Sequence, residues 1–210
     1  MKRTTLATIL FAGLGTATNI NASEIGAKIV DYENGTGSEY TASIDVKYNL
    51  SLEGRYSVLN LEEFSLLNAS KGEDQNPDVK LVTYGIGYTY PVSYELEVYA
   101  GAYMTTLKTS GLTYSIFDTG SGESQNVEIE LEEIEGKEFE VGVAYKFADY
   151  FEIDVAAKQI HYDDDLSDDV TAGFVGLSVY INPRFKLTAS YQSDTFLQES
   201  NYGLGITYKF

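Results

Sequence analysis

Along most of the chain, apolar and polar residues alternate with a period of two, and no stretch beyond the first segment carries a helical stripe. Phe139, Val141, Val143, Tyr145 and Phe147 alternate with Glu138, Glu140, Gly142, Ala144 and Lys146. Leu96, Val98, Ala100, Ala102 and Met104 alternate with Glu95, Glu97, Tyr99, Gly101 and Tyr103. The same pattern runs through Phe185–Tyr191 and Tyr202–Phe210. Each run is about 9–11 residues, the length that crosses a bilayer as a tilted strand. The pattern predicts ten strands, at about 24–32, 40–48, 52–64, 79–90, 95–108, 138–147, 151–162, 171–181, 185–193 and 201–210. The first alternates poorly, but without it the end of the chain would lie on the wrong side. An eight-strand barrel, with two of these runs as loop, is the alternative.

The connections alternate between two kinds. Tight ones fall at Asn49–Ser51, Pro91–Tyr94, Ala148–Tyr150 and Asn182–Arg184. Longer ones, acidic or rich in Gly and Ser, fall at Glu33–Glu39, Ser65–Asp78, Thr109–Lys137, Asp163–Val170 and Asp194–Ser200. Short turns at one end and long loops at the other are the signature of a transmembrane β-barrel. Val127–Ile134 alternates acid and apolar, so this loop is expected to extend its hairpin beyond the membrane. Asn34–Gly35 and Gly120–Gly122 are turn chemistry.

An all-β chain of this kind has two readings. A soluble, lipocalin-like barrel buries the apolar set; a membrane barrel turns that set outward. Aromatic residues favour the membrane. Tyr48, Tyr88, Tyr90, Tyr94, Phe147, Tyr150, Phe151, Tyr180, Phe185, Tyr208 and Phe210 sit beside tight turns or the C-terminus. Tyr40, Phe64, Tyr103, Phe174, Tyr191 and Tyr202 lie nearer the other ends, so two interfacial girdles are expected. Strand propensity alone does not place aromatics at turns.

The opposite parity carries both signs of charge. Its acids are Asp45, Glu53, Glu95, Glu97, Glu138, Glu140, Glu152 and Asp154, and its bases are Lys47, Arg55, Lys146, Lys158, Lys186 and Lys209. Mixed signs can pair, which buried charges require. A solvated outer face is the competing explanation. Gly85, Gly87, Gly203 and Gly205 share the inward parity and leave room for long side chains from elsewhere on the wall.

The first segment, MKRTTLATILFAGLGTATNINA, differs from the rest. Lys2 and Arg3 precede a short apolar run, Leu6–Leu14, and Ala22 or Ser23 supplies a small residue before a cut. The run is too short to span a bilayer as a helix, so residues 1–22 read as a cleaved export signal and 23–210 as the β-barrel domain. The charge narrows the field further. The chain has 14 Lys+Arg against 32 Asp+Glu, a net of −18. Losing Lys2 and Arg3 takes it to −20. That excludes a nucleic-acid footprint. The absence of Cys excludes disulfides and thiolate metal sites, and a single His excludes multi-histidine zinc.

The last strand carries a family signal. Phe210 ends the sequence, Tyr208 lies two before it, and Ile206, Leu204 and Tyr202 continue the alternation. This resembles the C-terminal strand of Gram-negative outer-membrane proteins. With the signal segment and the loop asymmetry, the chain resembles the small outer-membrane barrel families: the OmpA transmembrane domain, OmpW, opacity-type and YfaZ-type proteins. The resemblance implies an outer-membrane location. It also implies Tyr202, Leu204, Ile206, Tyr208 and Phe210 as the signal read by the barrel-assembly machinery, with periplasmic chaperones as partners in biogenesis. Outer-membrane lipid and lipopolysaccharide are the implied surroundings. No functional motif comes with it.

Candidate chemistry is sparse. His161, the one imidazole, stands just before Asp163, but the Asp-x-His pattern of omptin-like proteases and the His-x-Ser pattern of barrel lipid A deacylases are absent around it. Asp163, Asp164, Asp165, Asp168 and Asp169 crowd one loop, and Glu128, Glu130, Glu132, Glu133 and Glu135 another. Carboxylate clusters suit Ca²⁺ or Mg²⁺, but the first lacks EF-hand spacing; a solubilising, phosphate-rejecting rim is the simpler reading. No cofactor is expected. The function expected is non-enzymatic: an envelope-structural or surface-interaction role through acidic outer loops, or alternatively a narrow porin-like channel for small solutes or cations.

Overall fold

In a computed structural model, residues 23–32, 35–61, 78–110, 112–117, 124–129, 133–163, 169–193 and 200–210 are described. The export-signal reading of residues 1–22 therefore lies outside the described residues. The strands are β1 (Ser23–Tyr32), β2 (Gly35–Asp45), β3 (Leu50–Leu61), β4 (Asp78–Pro91), β5 (Leu96–Ser110), β6 (Leu112–Phe117), β7 (Ser124–Ile129), β8 (Ile134–Phe147), β9 (Phe151–Tyr162), β10 (Val170–Asn182), β11 (Phe185–Ser193) and β12 (Asn201–Lys209).

Ten of them close an antiparallel barrel in the order β1-β12-β11-β10-β9-β8-β5-β4-β3-β2. The barrel thus has the ten strands expected, and the eight-strand alternative is set aside. Its seam pairs β1 with β12, from Glu24↔Lys209 to Tyr32↔Asn201. The weakly alternating first strand is held on both edges, since β2 pairs along its other side.

Three boundaries differ from expectation, each for a local reason. β2 starts at Gly35, not near residue 40, so residues 35–39 of the expected Glu33–Glu39 loop belong to the strand. The following turn falls at Val46–Asn49, not at Asn49–Ser51. Tyr48 and Asn49 take positive φ of 64° and 63° there, and Val46 N–H donates to the Leu50 carbonyl at 2.7 Å. Consecutive left-handed residues match the twist of a tight hairpin. β8 starts at Ile134 rather than 138, pairing Ile134 with Leu107. Between β5 and β8 the chain forms its own two-stranded sheet, β6–β7, with Leu112↔Ile129 and Phe117↔Ser124 at its ends.

Side-chain caps fix two other tight turns. The Asn182 carboxamide oxygen accepts from the N–H of Arg184 at 2.9 Å and of Phe185 at 3.1 Å. The Ser93 hydroxyl accepts from Leu96 N–H at 3.0 Å. Both are the local turn chemistry of short polar side chains.

The two faces of the sheet settle which medium surrounds it. Val141 and Val143 of β8, Val155 of β9, Leu177 of β10, Leu187 of β11 and Leu204 of β12 are all exposed on the outer face, Leu204 by 70%. Glu138, Glu152 and Lys158 are buried on the inner face, Glu138 at 1% exposure. An apolar band around a whole barrel would not survive in water, whereas in lipid it is the low-energy arrangement. The chain therefore spans a membrane as a β-barrel, and the lipocalin-like inversion is excluded.

Candidate functional site: the lumen

Inward positions fall into layers along the barrel axis. At the loop end the layer is apolar. Leu59 (β3), Val79 (β4) and Leu107 (β5) form a buried cluster, with Tyr32, Leu81 and Ile134 packed against it. Val30, Ile160 and Tyr162 are buried on the inward parity of β1 and β9 near the same end. These residues occupy the last turns of the strand pattern before the long loops, where the alternation continues but the inward position turns apolar.

Below them lies a layer of charge. Arg55 of β3 sets one guanidinium nitrogen 2.6 and 2.7 Å from the two carboxylate oxygens of Glu138 on β8. Lys158 of β9 stands 3.8 Å from Glu138 and 3.1 Å from Glu140. Lys28 and Glu39 pair at 2.9 Å. The Lys158 ammonium also lies over the Phe174 ring, 5.8 Å from its centroid. Each charge here has a partner of opposite sign, as a low-dielectric interior demands. Thr83 and Thr105, both buried, share a hydrogen bond at 3.1 Å beside them.

Beneath this layer is a chamber of about 1000 Å³ that reaches the turn end, where Val46–Leu50 and Pro91 line its mouth. Lys186 pairs with Glu152 at 3.3 Å and lies over the Tyr180 ring, whose hydroxyl donates to Glu152 at 2.7 Å. Lys146 pairs with Glu97 at 3.5 Å and Lys209 with Glu24 at 3.4 Å. Two carboxylates are held differently. Tyr99 donates to Asp154 at 2.6 Å, and Tyr103 donates to Glu53 at 2.7 Å. Ser51 donates to the other oxygen of Glu53 at 2.5 Å.

Inward glycines make these tyrosine contacts possible. A side-chain carbon at Gly142 would run into the Tyr99 ring, and one at Gly101 into the Tyr103 ring. At Gly85 it would meet the Ala102 carbonyl and Tyr103. The phenol rings thus lie flat along the wall and reach strands they do not pair with. Gly203 and Gly205 make room in the same way for the stem of Lys28.

Of the charges expected inside, Glu53, Arg55, Glu97, Glu138, Glu140, Lys146, Glu152, Asp154, Lys158, Lys186 and Lys209 lie on inward positions of strands. Asp45 ends β2 and Lys47 lies in the turn after it, so both line the mouth instead of the deep lumen. Glu95 lies outside, in the exposed turn before β5, where Tyr145 of the lipid face donates to it at 3.4 Å. Tyr103, Phe174 and Tyr180, assigned to the girdles from sequence, turn inward. Lys28 and Glu39 were missed. The alternation of Glu24, Gly26 and Lys28 carried a signal for the first, while Glu39 was hidden in a stretch that reads as loop.

The rim candidates separate. His161 Nδ1 contacts Asp169, and both are exposed. Lys137 pairs with Asp163 at 3.2 Å. Asp164, Asp165 and Asp168 lie outside the described residues, as do Glu130 and Glu132. Among the described residues no group of three or more His, Asp or Glu side chains is arranged to hold a metal ion. Of the C-terminal strand, Tyr202, Leu204, Ile206 and Phe210 are exposed on the outer face, and Tyr208 packs between Phe185 and Phe210.

No protein-family model matches the chain, and no curated protein sequence matches it. Solved structures with similar architecture include the translocator domain of the autotransporter NalP from Neisseria meningitidis. It is 14% identical, with 99% of this chain and 94% of that chain covered and a TM-score of 0.49. The NanC porin is 11% identical over 90% of this chain and 100% of its own, with a TM-score of 0.48. The KdgM porin is 11% identical over 89% and 99%, with a TM-score of 0.47. At such values the barrel rests on its own strand pairing, not on the likeness.

Proposed function

We propose that the protein is a non-enzymatic outer-membrane β-barrel of a Gram-negative envelope, with a closed lumen and an envelope-structural or surface-contact role through its acidic loops. One observation carries the closed lumen: the Arg55–Glu138–Lys158–Glu140 network lies across the interior directly beneath an apolar layer. A solute passing through would break buried ion pairs and then meet the apolar side chains around Leu59. The outer-membrane placement is supported by the export-type segment, the outward apolar band and the aromatic ending Tyr202–Phe210. Lipopolysaccharide and lipid would surround the band, and the assembly machinery would read the ending.

Single-channel recording of the refolded protein in planar bilayers tests the closure. No steps, or small ones, are expected; large non-selective steps like those of a general porin would refute it. Fractionation tests the location: the protein is expected with the outer membrane and to show heat-modifiable gel migration. A second reading, a narrow cation-preferring channel, is favoured by the chamber and by its surplus of acids. If small cation-selective steps appear, Glu138→Gln with Glu140→Gln should reduce that selectivity.

A further inference from the structure

Outside the lumen, the basic side chains of the wall gather on one side. Among the described strand residues, the lysines and arginines on outward positions are Lys80 of β4, Lys108 of β5 and Lys137 of β8. These three strands are neighbours in the barrel. Each lysine lies just past the loop-side end of the apolar band, beyond Val82, Met104 and Phe139 respectively. Toward the loop end of other strands the outward positions include Asp31, Asn60, Thr171 and Ser193, none of them basic. In a chain with a net charge of −18, this clustering of positive charge runs against the composition.

Lys80 and Lys108 stand directly opposite each other. Like charges so placed repel, and a bound anion converts the repulsion into shared attraction. Lys108 pairs with Glu133 at 3.4 Å and Lys137 with Asp163 at 3.2 Å, with all four side chains open to the surroundings. Ion pairs this exposed are weak and exchange readily. Glu133 and Asp163 both lie farther toward the loops than Lys137. An anion held at the membrane boundary therefore meets lysine first.

A second feature continues beneath the lysines. Ala102 of β5 stands between Ile86 and Phe139, and Ala100 between Tyr88 and Val141. The four flanking side chains are large and exposed. Small residues between such ridges leave a shallow apolar furrow along β5, open to lipid. It begins one outward position below the row of Met104 and Lys137.

We propose that this face holds a phosphorylated lipid of the outer leaflet, of the lipid A kind, with its phosphate on Lys80, Lys108 and Lys137 and an acyl chain in the alanine furrow. The inference rests on the outer-membrane reading above and gives the surrounding lipopolysaccharide a fixed place on the wall. The cationic cluster and the furrow follow one another in the order of a lipid's headgroup and chain, and free phosphate would use only the first. Lysine stems can lie on the apolar band while their ammonium groups reach the headgroup level.

The test titrates the refolded full chain in nonionic micelles with bisphosphorylated lipid A and follows retained lipid by native mass spectrometry. Saturable retention of lipid A is expected, and dephosphorylated lipid A should be held far more weakly. Lys80→Gln with Lys108→Gln and Lys137→Gln should weaken retention by about tenfold or more. Ala102→Phe, which fills the furrow, should weaken it as well. Lys47→Gln with Arg184→Gln, at the turn end, should leave it unchanged. Equal weakening by the turn-end variant, or equal retention of the dephosphorylated lipid, overturns the proposal. Displacement of lipid A by millimolar inorganic phosphate would mark a free-phosphate site and overturn the lipid assignment. Should the triple variant fail to fold, amine labelling of the unmodified chain decides: lipid A should shield Lys80, Lys108 and Lys137 but not Lys47, and equal labelling of all four would overturn the site. Fractionation keeps the two readings apart. Protein absent from the outer membrane refutes the location, whereas protein found there whose lipid A binding ignores the lysines refutes this site alone.

Discussion

Arg55 and Glu138 are 83 residues apart in sequence and meet across the lumen, one guanidinium nitrogen bridging both carboxylate oxygens at 2.6 and 2.7 Å. Glu138 also faces Lys158, so it is the shared anion of two bases on different strands. Glu138→Ala should therefore destabilise the barrel by about 3–5 kcal/mol, since it leaves buried positive charge uncompensated. Replacing Arg55 and Glu138 together by Met and Leu should cost less than Glu138→Ala alone. Denaturant unfolding of the refolded protein in micelles measures both, and a double variant costlier than the single one would contradict the account.

The outer face predicts a contrast between neighbours. Val143 and Leu187 face lipid, and Val143→Arg or Leu187→Arg should each cost about 2–4 kcal/mol near the bilayer midplane. Ala144 and Thr188 line the chamber, where an arginine finds acids, so the same substitution there should cost less. Unfolding titrations in lipid that rank the inward pair as costlier would reverse the assignment of faces.

Gly142 and Tyr99 should behave as one unit. Gly142→Ala forces the Tyr99 ring off the wall and away from Asp154. A loss of about 1–3 kcal/mol is expected from such overpacking. In a Tyr99→Ala background the same change should cost far less. A double-mutant cycle reports this as a coupling energy, and additivity of the two changes would show that the glycine serves another purpose.

At the loop end, Leu59 is the buried centre of the apolar layer, packed with Val79 and Leu107. Leu59→Ala should destabilise by about 2–5 kcal/mol, the range for a large-to-small change in a packed core. The same substitution at Leu52, exposed on the lipid face of the same strand, should cost less because no cavity is left. Parallel unfolding curves for the two variants check the difference.

Deleting Phe210 should slow assembly in cells and leave periplasmic protein to be degraded. Phe210 lies exposed against Tyr208, ring centroids 5.5 Å apart, and makes no lumen contact. Its loss should therefore leave the stability of protein refolded in vitro almost unchanged. Normal membrane levels of the deletion in cells would argue against a role in recognition.

The lipid face was legible from sequence because lipid imposes one requirement at every second position, and Phe139–Phe147 or Tyr202–Phe210 satisfy it without local exceptions. The lumen was legible only in part. Parity picks out Arg55 and Glu138, but nothing in either stretch indicates that they meet. Tyr103, Phe174 and Tyr180 were sorted with the girdles because an aromatic ring near a strand end suits an interface as well as a lumen wall; what decides is parity, and for Tyr103 the glycines at 85 and 101. β2 was misplaced because Gly35, Gly37 and Ser38 read as turn residues. Their neighbours explain them: a side-chain carbon at Gly37 would press on Leu59 and the Val58 carbonyl. Smallness there serves packing under the apolar layer rather than a bend.

The seam between β1 and β12 has a consequence for the order of events in folding. Every barrel pairing except β5–β8 and this seam joins strands consecutive in sequence, so most of the sheet can zip up hairpin by hairpin at small loop-closure cost. The seam alone joins residues near the two ends of the described chain, Glu24 with Lys209. Until it forms, the sheet has two free edges, each a row of unpaired amides and carbonyls that lipid cannot satisfy. The lumen charges also lack their full complement of walls, because Lys28 and its Glu39 partner stand on the strands beside the seam. Closure is thus the step that seals backbone and interior together, and an open intermediate is the form most exposed to pairing with another chain.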